Sequence, residues 1–411
     1  MSLLEQIQRL QFSDKPAAER LLIDFIRETF NLNVTAVELR PLAVSLNSFN
    51  GFVTLADGQR LFFKTHTESN GVIGEYYNAA MLADAGYPVL QPIMQSTEAG
   101  KQFLIYPVIN DPSVFDTAHD IISGKPERRA DLEHAQAEAD DELLRIYQHT
   151  LEWQPAAEAA KAPVHQLFYH RLAGGRLDQF YGQSTSMLHD ADSVPMETVR
   201  RIQWTINGQI YGETLNDIIE RAIRLLNPAQ SGASIVGHGD AHNGNVFLRG
   251  GGDHAALLYF DPAFAGRHHP LLDLTKPLFH NVFAAWMYFP QQIAERLTLT
   301  VHTDDDCWRV EHDFPHHPLR EMFLQSKVQR VLIPTLRDLK QRGWLREDWR
   351  AYLKASLFCC PFLTMNLTDS SKFPPPITVL GLAMAIEMGS ESSGVRSRID
   401  QMLDEVEKAL V

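Results

Sequence analysis

The sequence predicts an α+β protein of two lobes, a small antiparallel-sheet N-lobe and a larger, mainly helical C-lobe. Three observations support this prediction. Strand-like runs joined by tight turns occur in the first hundred residues, and helical spacing of apolar residues dominates from Asn110 onward. A polar loop from His238 to Asn245 lies between two apolar strand-like runs. We expect residues 1–108 to form the N-lobe and residues 109–411 to form the C-lobe.

The N-lobe is predicted to begin with a helix and to continue as a sheet. Between Pro16 and Phe30, apolar residues recur at the spacing of an amphipathic helix. The segment from Gln59 to Lys64 is apolar and aromatic and follows a tight turn, which predicts a strand that ends at Lys64. A further strand is predicted from Gln102 to Tyr106, after which the chain enters the C-lobe.

The C-lobe is predicted to be built mostly from helices. These are expected at Arg129 to Trp153, Leu215 to Leu226 and Val395 to Leu410, from composition and apolar spacing. Strand-like runs flank the polar loop, and a glycine-rich turn at 250–253 makes the two runs around it a plausible hairpin. The polar loop therefore lies on a small strand-containing region within a helical lobe.

The polar loop carries residue types that phosphoryl transfer from a nucleotide requires. It places a carboxylate at Asp240 and, five residues later, a carboxamide at Asn245. A carboxylate can orient an acceptor hydroxyl, and carboxylate and amide oxygens are ligands that magnesium prefers. A second carboxylate, Asp261, ends the strand that follows the glycine turn. Asp240 is therefore the candidate catalytic residue, and Asn245 and Asp261 are the candidate metal ligands.

The alternative for this loop is a structural role, because Asp and Asn often cap loops through hydrogen bonds to the backbone. An Asp and an Asn at this spacing can also arise by chance in a long chain. The order of elements decides between the two interpretations. Strand, polar loop, strand, glycine turn, strand and terminal Asp follow one another as a nucleotide-kinase metal site requires, which favours catalysis.

The loop and its following Asp resemble the catalytic core of the aminoglycoside phosphotransferase and choline kinase-like group, within the protein-kinase-like fold. The spacing from Asp240 to Asn245 is that of the protein-kinase catalytic loop. Gly239 and His242 stand where the small-molecule branch of that fold commonly has Gly and His. Asp273 resembles a further family element whose usual role is to brace the catalytic loop from a helix. The resemblance implies a bilobal small-molecule kinase.

If this fold is right, the N-lobe must supply a lysine on a strand and a glutamate on the next helix. Lys64 is the candidate phosphate ligand, and Glu75 lies near the start of a helix-like stripe. An ion pair between them would hold the ammonium group against the α and β phosphates of a nucleotide. The alternative is a surface lysine and a glutamate favoured by the helix dipole, which the downstream motif makes less attractive.

Two further segments are predicted to contact the nucleotide. The stretch from Ser45 to Gly51, with Ser48 at its centre, is a candidate loop over the phosphates, although an ordinary hairpin explains it nearly as well. The base is expected near Tyr106, where Val108 or Ile109 would donate a backbone hydrogen bond because Pro107 cannot. Neither segment distinguishes ATP from GTP.

Composition excludes some classes of partner. The chain has 411 residues and a formal charge of −14, which argues against a nucleic-acid partner because phosphate neutralisation needs a basic face. There are three cysteines, and the adjacent pair Cys359 and Cys360 is expected to be buried as free thiols in a reducing compartment. We expect no membrane partner and a cytoplasmic location, since neither a signal-peptide core nor a membrane-length apolar run occurs.

The predicted function is transfer of the γ-phosphoryl group of ATP or GTP, with Mg²⁺, to a hydroxyl of a small acceptor. Asp240 would orient that hydroxyl, Asn245 and Asp261 would coordinate the metal, and Lys64 held by Glu75 would align the phosphates. Two alternatives are a catalytically inactive kinase-like nucleotide-binding or regulatory module and a metal-dependent hydrolase. The acceptor stays open, although the aromatic and arginine-containing stretch from Phe168 to Arg176 could line its pocket.

Overall fold

The computed structural model describes residues 3–40, 48–66, 71–98, 100–183, 185–189, 192–304 and 306–411. At residues 48, 66, 71–77, 188, 189 and 192 it describes the backbone alone. The chain divides into two compact units. Unit 1 comprises residues 1–112 and 258–265, and unit 2 comprises residues 113–257 and 266–411. The expected α+β class, with a small antiparallel-sheet unit and a larger, mainly helical unit, is confirmed.

Unit 1 contains three helices and five strands among its described residues. They are α1 (Leu3–Ser13), α2 (Lys15–Phe30), β1 (Val34–Leu39), β2 (Ser48–Leu55), β3 (Arg60–His66), α3 (Gly71–Asp84), β4 (Met94–Ser96) and β5 (Phe103–Pro107). The five strands form one sheet in the order β1-β2-β3-β5-β4, and every neighbouring pair is antiparallel.

Helix α2 confirms the predicted N-terminal helix, and its ends have clear local causes. The Asp14 side chain accepts a hydrogen bond from the Ala17 amide, and Pro16 lies in the first turn, where no amide partner is lost. Asn31 ends the helix in the left-handed conformation, which Asn tolerates better than most residues. Helix α1, which precedes α2, was not predicted.

The strand predicted to end at Lys64 is β3, and the strand predicted up to Tyr106 is β5. They pair with each other, so that Lys64 lies opposite Leu104, and on its other side Lys64 lies opposite Asn50 of β2. Lys64 is therefore held on the central strand of the sheet. Alternate residues of β3 face a core in which the rings of Phe63 and Phe103 stack with centroids 5.1 Å apart.

The predicted loop from Ser45 to Gly51 is wrong at its C-terminal end. Ser48 to Gly51 belong to β2, with Ser48 opposite His66 and Gly51 opposite both Leu39 and Phe63, whereas 45–47 lie outside the described residues. Close packing explains the strand. A Cβ on Gly51 would lie 2.1 Å from the Glu38 carbonyl oxygen, so glycine here allows the two strands to approach and does not mark a turn.

Unit 2 is mainly helical. Its helices are α4 (Val114–Ile122), α5 (Arg129–Thr150), α6 (Ala156–Ala159), α7 (Tyr169–Ala173), α8 (Arg176–Tyr181), α9 (Met196–Val199), α10 (Leu215–Leu225), α11 (Pro270–His280), α12 (Ala285–Tyr288), α13 (Pro290–Ala294), α14 (Pro318–Lys327), α15 (Ile333–Gln341), α16 (Trp349–Leu363), α17 (Pro375–Gly389) and α18 (Arg398–Leu410). The three helices predicted from the sequence are confirmed as α5, α10 and α18. Helix α10 begins with a capping box in which Thr214 and Asp217 bond each other's backbone amides.

The strands of unit 2 are short. They are β6 (Glu152–Gln154), β7 (Ser186–His189), β8 (Asp192–Pro195), β9 (Gln203–Ile206), β10 (Gln209–Tyr211), β11 (Gly232–Gly237), β12 (Val246–Arg249), β13 (Ala256–Tyr259, whose last two residues belong to unit 1), β14 (Gly266–His268), β15 (Leu299–Thr303), β16 (Cys307–His312) and β17 (Ser392–Gly394). The predicted hairpin is the two-stranded sheet of β12 and β13, and β11 lies between β14 and β6 in a three-stranded sheet.

The core of unit 2 contains α11, α16 and α17, in which nearly every residue is buried. Cys359 and Cys360 lie in α16, and both are buried and unpaired, as predicted. No helix in the described ranges is both long enough and apolar enough to cross a bilayer.

Charged residues are also buried in unit 2, beside α16 and α17. The Lys354 ammonium forms an ion pair with Asp400 and donates to the Glu387 carbonyl oxygen at 3.1 Å. Burial raises the pKa of the Glu387 carboxyl to about 7, although the nearby Lys354 opposes the shift. The folded protein therefore binds a proton at Glu387 at a pH where the unfolded chain has lost it.

Ionisation of Glu387 should destabilise the folded protein as pH rises, and replacement of Glu387 by Gln should remove this effect. The raised pKa means that the contribution of Glu387 to stability is present below about pH 4.5 and is lost as pH rises towards about 7. At pH 8 we expect Glu387→Gln to unfold with a free energy higher by on the order of 2 kcal/mol, and at pH 4.5 with little difference. Urea unfolding at both pH values measures this, with the exposed Glu347→Gln as the control. Equal effects at the two pH values would contradict it.

Candidate functional site

The loop after β11 is a short, tightly bonded segment. Strand β11 ends at Gly237, and residues Asn243–Asn245 form one turn of 3₁₀ helix before β12 begins. His242 caps that turn, because its Nδ1 accepts a hydrogen bond from the Gly244 amide at 3.1 Å and its carbonyl accepts from the Asn245 amide at 2.8 Å. The predicted strand, polar loop and strand are thus present, and we refer to 238–245 as the catalytic loop.

Asp273, in the first turn of α11, fixes the start of the catalytic loop. Its Oδ1 accepts a hydrogen bond from the Gly239 amide at 2.6 Å, and its Oδ2 accepts one from the Tyr147 hydroxyl at 2.5 Å. His268 Nε2 lies 3.0 Å from the same Oδ1. Burial alone would raise the pKa of Asp273, but these hydrogen bonds outweigh it and hold the pKa below its usual value. The carboxylate is therefore charged and fully engaged.

Two glycines allow the carboxylate of Asp273 to come so close to the backbone. Gly239 has φ of +79°, a conformation that residues with a Cβ rarely adopt. At Gly237 a Cβ would lie 2.6 Å from both Asp273 Oδ1 and His268 Nε2, so a side chain there would displace the brace. The Gly at the second loop position, noted in the sequence, is thus explained by backbone geometry.

Asp240 is held in the same loop but keeps part of its carboxylate accessible. Its side chain is 17% exposed, and its nearest cation is the Lys276 ammonium at 3.7 Å from Oδ1. Among the described residues, Oδ1 is buried and has no hydrogen-bond partner. Burial would raise the pKa of Asp240, yet Lys276, two histidines and Arg171 hold it below its usual value. The carboxylate is therefore ionised, with one oxygen left to accept a hydrogen bond.

Asn245, the candidate metal ligand of this loop, is hydrogen-bonded to the backbone of Asp240. Its Nδ2 donates a hydrogen bond to the Asp240 carbonyl oxygen at 2.9 Å. That bond identifies which end of the carboxamide is the donor and leaves Oδ1 as the atom that can bind a cation. The spacing of five residues noted in the sequence is thus the length of the loop that this hydrogen bond closes.

Asp261 and Lys64 meet within unit 1. Lys64 Nζ lies 2.7 Å from Asp261 Oδ1, and the two side chains are 20% and 42% exposed. Asp261 follows β13, whose Tyr259 accepts a hydrogen bond from the Leu90 amide, and it has φ of +57°. Such a backbone is uncommon for a residue other than Gly and occurs preferentially at functional sites. The candidate phosphate ligand thus contacts the candidate metal ligand directly.

The other predicted nucleotide ligands are less defined. Glu75 lies within α3 and Ser48 begins β2, but both side chains fall outside what the structure describes. Tyr106 is buried in β5 with its ring against Phe62. Val108 and Ile109 follow β5 in irregular chain, and their amides donate no hydrogen bond to any described residue. These two amides remain candidates for binding the base.

Sequence reasoning missed Lys276 and Tyr147, and it treated Arg171 only as part of a stretch that could line the acceptor pocket. Lys276 lies three residues after Asp273 on α11, so helical periodicity alone could have placed both on the side that faces the catalytic loop. Tyr147 lies more than a hundred residues from Asp273 along the chain, and no sequence pattern connects them. Arg171 acts on the Asp240 carboxylate through its charge.

The oxygen ligands of the two candidate metal residues suit a hard cation such as magnesium. Asp261 supplies a partly exposed carboxylate and Asn245 supplies an amide oxygen. Within the described ranges there is no cluster of three His, Cys, Asp or Glu that could hold a metal. Magnesium does not need one, because it is commonly bound by one or two carboxylates together with substrate phosphates and water.

Comparison with known proteins gave matches to solved structures. One is a thermostable mutant of an aminoglycoside phosphotransferase in complex with ADP and hygromycin B, with 9% identity, TM-score 0.47, and 91% of this chain and 99% of that chain covered. A spectinomycin phosphotransferase in complex with ADP and spectinomycin has 12% identity, TM-score 0.39, and coverage of 90% and 98%. An amicoumacin kinase in complex with AMP-PNP, Ca²⁺ and amicoumacin has 14% identity, TM-score 0.44, and coverage of 86% and 87%.

No family model and no curated protein sequence matches the chain.

Removal of the Tyr147 hydroxyl should loosen the catalytic loop without touching a reacting group. Tyr147→Phe leaves Asp273 Oδ2 buried without its donor, so we expect the free energy of unfolding to fall by about 1–3 kcal/mol. Asp273→Asn should cost more, because it also weakens the bond to the Gly239 amide. Thermal and urea unfolding measure both effects. A Tyr147→Phe protein as stable as the original would show that this hydrogen bond does not brace the loop.

Proposed function

We propose that this protein is a small-molecule kinase of the protein-kinase-like fold, which transfers the γ-phosphoryl group of ATP to a hydroxyl of a small acceptor. The observation that carries the proposal is the catalytic loop, where the brace from Asp273 holds an ionised Asp240 whose side chain stays 17% exposed although its Oδ1 is buried. A charged carboxylate that is partly accessible, in a loop that cannot easily relax, is suited to accept a hydrogen bond from an acceptor hydroxyl.

Asp240 orients the hydroxyl and takes its proton late in the reaction, because a loose phosphoryl-transfer transition state requires little activation of the nucleophile. Lys276, 3.7 Å away, keeps the carboxylate ionised while donating no hydrogen bond to it that would compete with the acceptor. Asp240 therefore acts mainly by its position. Its lowered pKa keeps the carboxylate ionised at neutral pH, so that it can accept a hydrogen bond from the hydroxyl.

Lys64 aligns the α and β phosphates, and we propose that Glu75 holds the ammonium group as the sequence predicts. Asn245 and Asp261 are the residues that would hold magnesium. The ion, when bound, supplies positive charge to the phosphate oxygens as the bond to the leaving group breaks.

The remaining predicted features belong to this proposal too. Residues 1–108 would form the nucleotide-binding lobe and 109–411 the catalytic lobe, with the amides of Val108 and Ile109 binding the base near Tyr106. Ser48 would lie near the phosphates. An inactive nucleotide-binding module stays the alternative, and it differs from the kinase in one measurable way, the absence of acceptor turnover.

Asp240→Asn should abolish turnover while nucleotide binding survives. The amide cannot accept the proton and carries no charge, so we expect kcat to fall by about 10²-fold or more. Affinity for magnesium and ATP should change little, because Asp240 is assigned to the acceptor. The measurements are ADP formation across a panel of hydroxylated small molecules and isothermal titration with Mg-ATP.

The matched control for this variant is Asp253→Asn, which removes an exposed carboxylate from the turn that follows β12. It should keep full activity. If Asp240→Asn turns over as fast as the original protein, the assignment of Asp240 is wrong. If the original protein binds Mg-ATP and modifies no acceptor in the panel, the inactive module is favoured.

Lys64→Met and Asp261→Asn should both weaken nucleotide use, in different ways. Each variant loses a charged side chain that is proposed to act on the phosphates, directly or through the metal. We expect this loss to lower kcat/KM for ATP about tenfold to a hundredfold. Asp261→Asn should in addition raise the magnesium concentration needed for half-maximal rate, whereas Lys64→Met should not. Initial rates over a grid of ATP and magnesium concentrations separate the two effects.

Lys101→Met is the control for Lys64→Met, because Lys101 is an exposed lysine of unit 1 in an ion pair with Glu98. It should behave like the original protein. An unchanged magnesium requirement in Asp261→Asn would remove Asp261 from the set of metal ligands.

A further inference from the structure

A cleft in unit 2 adjoins the catalytic loop and contains an arginine whose side chain has no partner among the described residues. Its lining comes from α4, from the region of α11 and α12 and from α14, with one residue of the catalytic loop, Asn243. The residues are Phe115, Ala118, His119, Ile122, Asn243, His280, Asn281, Ala285, Tyr288, Phe289, Arg320 and Phe323. Three cationic or imidazole groups, Arg320, His119 and His280, lie among aromatic rings, and these lining residues include no Asp or Glu.

Arg320 makes no ion pair and donates no side-chain hydrogen bond to any residue in the described ranges. Burial lowers its pKa to about 10, so the guanidinium is still charged at neutral pH. Arg320 is half-buried, and a partly desolvated charge with no described partner recovers less of its lost hydration than a paired charge does. No described contact of the Arg320 guanidinium stabilises the fold. A ligand that supplies an anionic group would explain the position of this arginine.

A neighbouring cavity shares Arg320 and contains one acidic residue, Asp313. That carboxylate accepts a hydrogen bond from the Thr298 amide at 2.8 Å and lies on the exposed side of the cavity. The same cavity also contains the exposed Arg296, so its two arginines outnumber its one carboxylate. Asp313 makes no described ion pair with Arg320, so the guanidinium is available to bind a ligand.

The aromatic lining of the cleft is rigid and flat. Phe289 stacks on His119 with ring centroids 4.2 Å apart and on Phe115 at 5.5 Å. Tyr288 packs edge-on against Phe115 at 5.0 Å. Rings arranged in this way offer apolar surface to the body of a ligand, while the guanidinium offers a planar pair of donors to a carboxylate.

The cleft is connected to Asp240 by direct contacts. His280, which lines the cleft, lies 3.3 Å from Lys276 Nζ, and Lys276 lies 3.7 Å from Asp240 Oδ1. At the other side, the Asn243 amide of the catalytic loop donates to the Asn281 side chain at 2.8 Å. A molecule in the cleft would therefore lie beside the loop that carries the catalytic carboxylate.

The charges around Asp240 have the same sign as Arg320. The groups that act most strongly on the Asp240 carboxylate are Lys276, His242, His238 and Arg171. Arg171 is itself mostly buried, and its Nε has no hydrogen-bond partner among the described residues. A polycationic acceptor would meet repulsion here, whereas an acceptor with a negative charge would be attracted.

We propose that the cleft is the acceptor subsite, and that it binds hydroxylated small molecules that carry a carboxylate, with Arg320 as the residue that pairs with this group. One guanidinium offsets one negative charge and matches the two oxygens of a carboxylate. This inference rests on the proposed kinase function, and it narrows the acceptor from any alcohol to a hydroxy acid.

Binding of matched compounds tests the proposal without requiring turnover. One triplet is 4-hydroxyphenylacetate, 4-hydroxyphenylacetamide and tyramine, which share a hydroxyphenyl body and carry a carboxylate, a carboxamide or an ammonium group. Aliphatic hydroxy acids with their amides and amines extend the set. Isothermal titration of the full chain at pH 7.5 should give the tightest binding for the carboxylate member, by about tenfold or more.

Arg320→Gln should abolish this preference, because the variant keeps the size of the side chain and loses its charge. Arg320→Lys should retain part of it. Folding is not expected to suffer, since Arg320 has no side-chain partner in the part of the chain that the structure describes, so the melting temperature of Arg320→Gln should stay the same or rise. Arg330→Gln is the matched control, because Arg330 pairs with Asp141 at the surface.

The outcomes distinguish this proposal from the proposed function. If carboxylates bind no better than amides across the set, or equally well to Arg320→Gln, the subsite proposal is overturned. If neutral or cationic alcohols are phosphorylated with ATP and depend on Asp240, the kinase function stands and the subsite proposal falls. If carboxylates bind through Arg320 and no acceptor is phosphorylated, the cleft is an anion site and the kinase function fails.

Discussion

The hydrogen bond from the Gly239 amide to the buried Asp273 carboxylate is the constraint on which the catalytic loop depends. A carboxylate with this degree of burial is tolerated only when its oxygens are engaged, and here Tyr147 and His268 complete its coordination. Glycine at 237 leaves room for the carboxylate, and glycine at 239 allows the backbone conformation that presents the amide to it. Because α11 carries both Asp273 and Lys276, one helix fixes the backbone of the loop and sets the charge of Asp240.

The sequence was sufficient for the class of fold and for much of the candidate site, because both leave local signals. Amphipathic spacing located α2, α10 and α18, an Ala- and Glu-rich composition located α5, and the five-residue spacing drew attention to Asp240 and Asn245. The end of the predicted cover loop was wrong, since Gly51 resembles a turn residue in sequence while its real cause is close contact with a neighbouring strand. Such a cause is invisible until the register of the sheet is known.

Lys276 could have been found from its place on α11, but two other residues that sequence reasoning did not find act at long range. Tyr147 contacts Asp273, and Arg320 reaches a cleft formed by four separate segments, so their roles depend on tertiary packing. The absence of a partner is likewise a property of the folded chain. A buried charge that fails to meet its counterion can be recognised only after all neighbouring side chains have been placed.

The ion pair between Lys64 and Asp261 has a thermodynamic consequence under the proposed function. Phosphate groups would bind Lys64, and a divalent cation would bind Asp261. Whichever ligand binds first breaks the ion pair and makes the other residue available to the second ligand. Linkage then makes the two affinities rise together, and by the same factor in either order. The enzyme would thus favour the metal–nucleotide complex over free nucleotide or free metal, with the broken ion pair as the source of the discrimination.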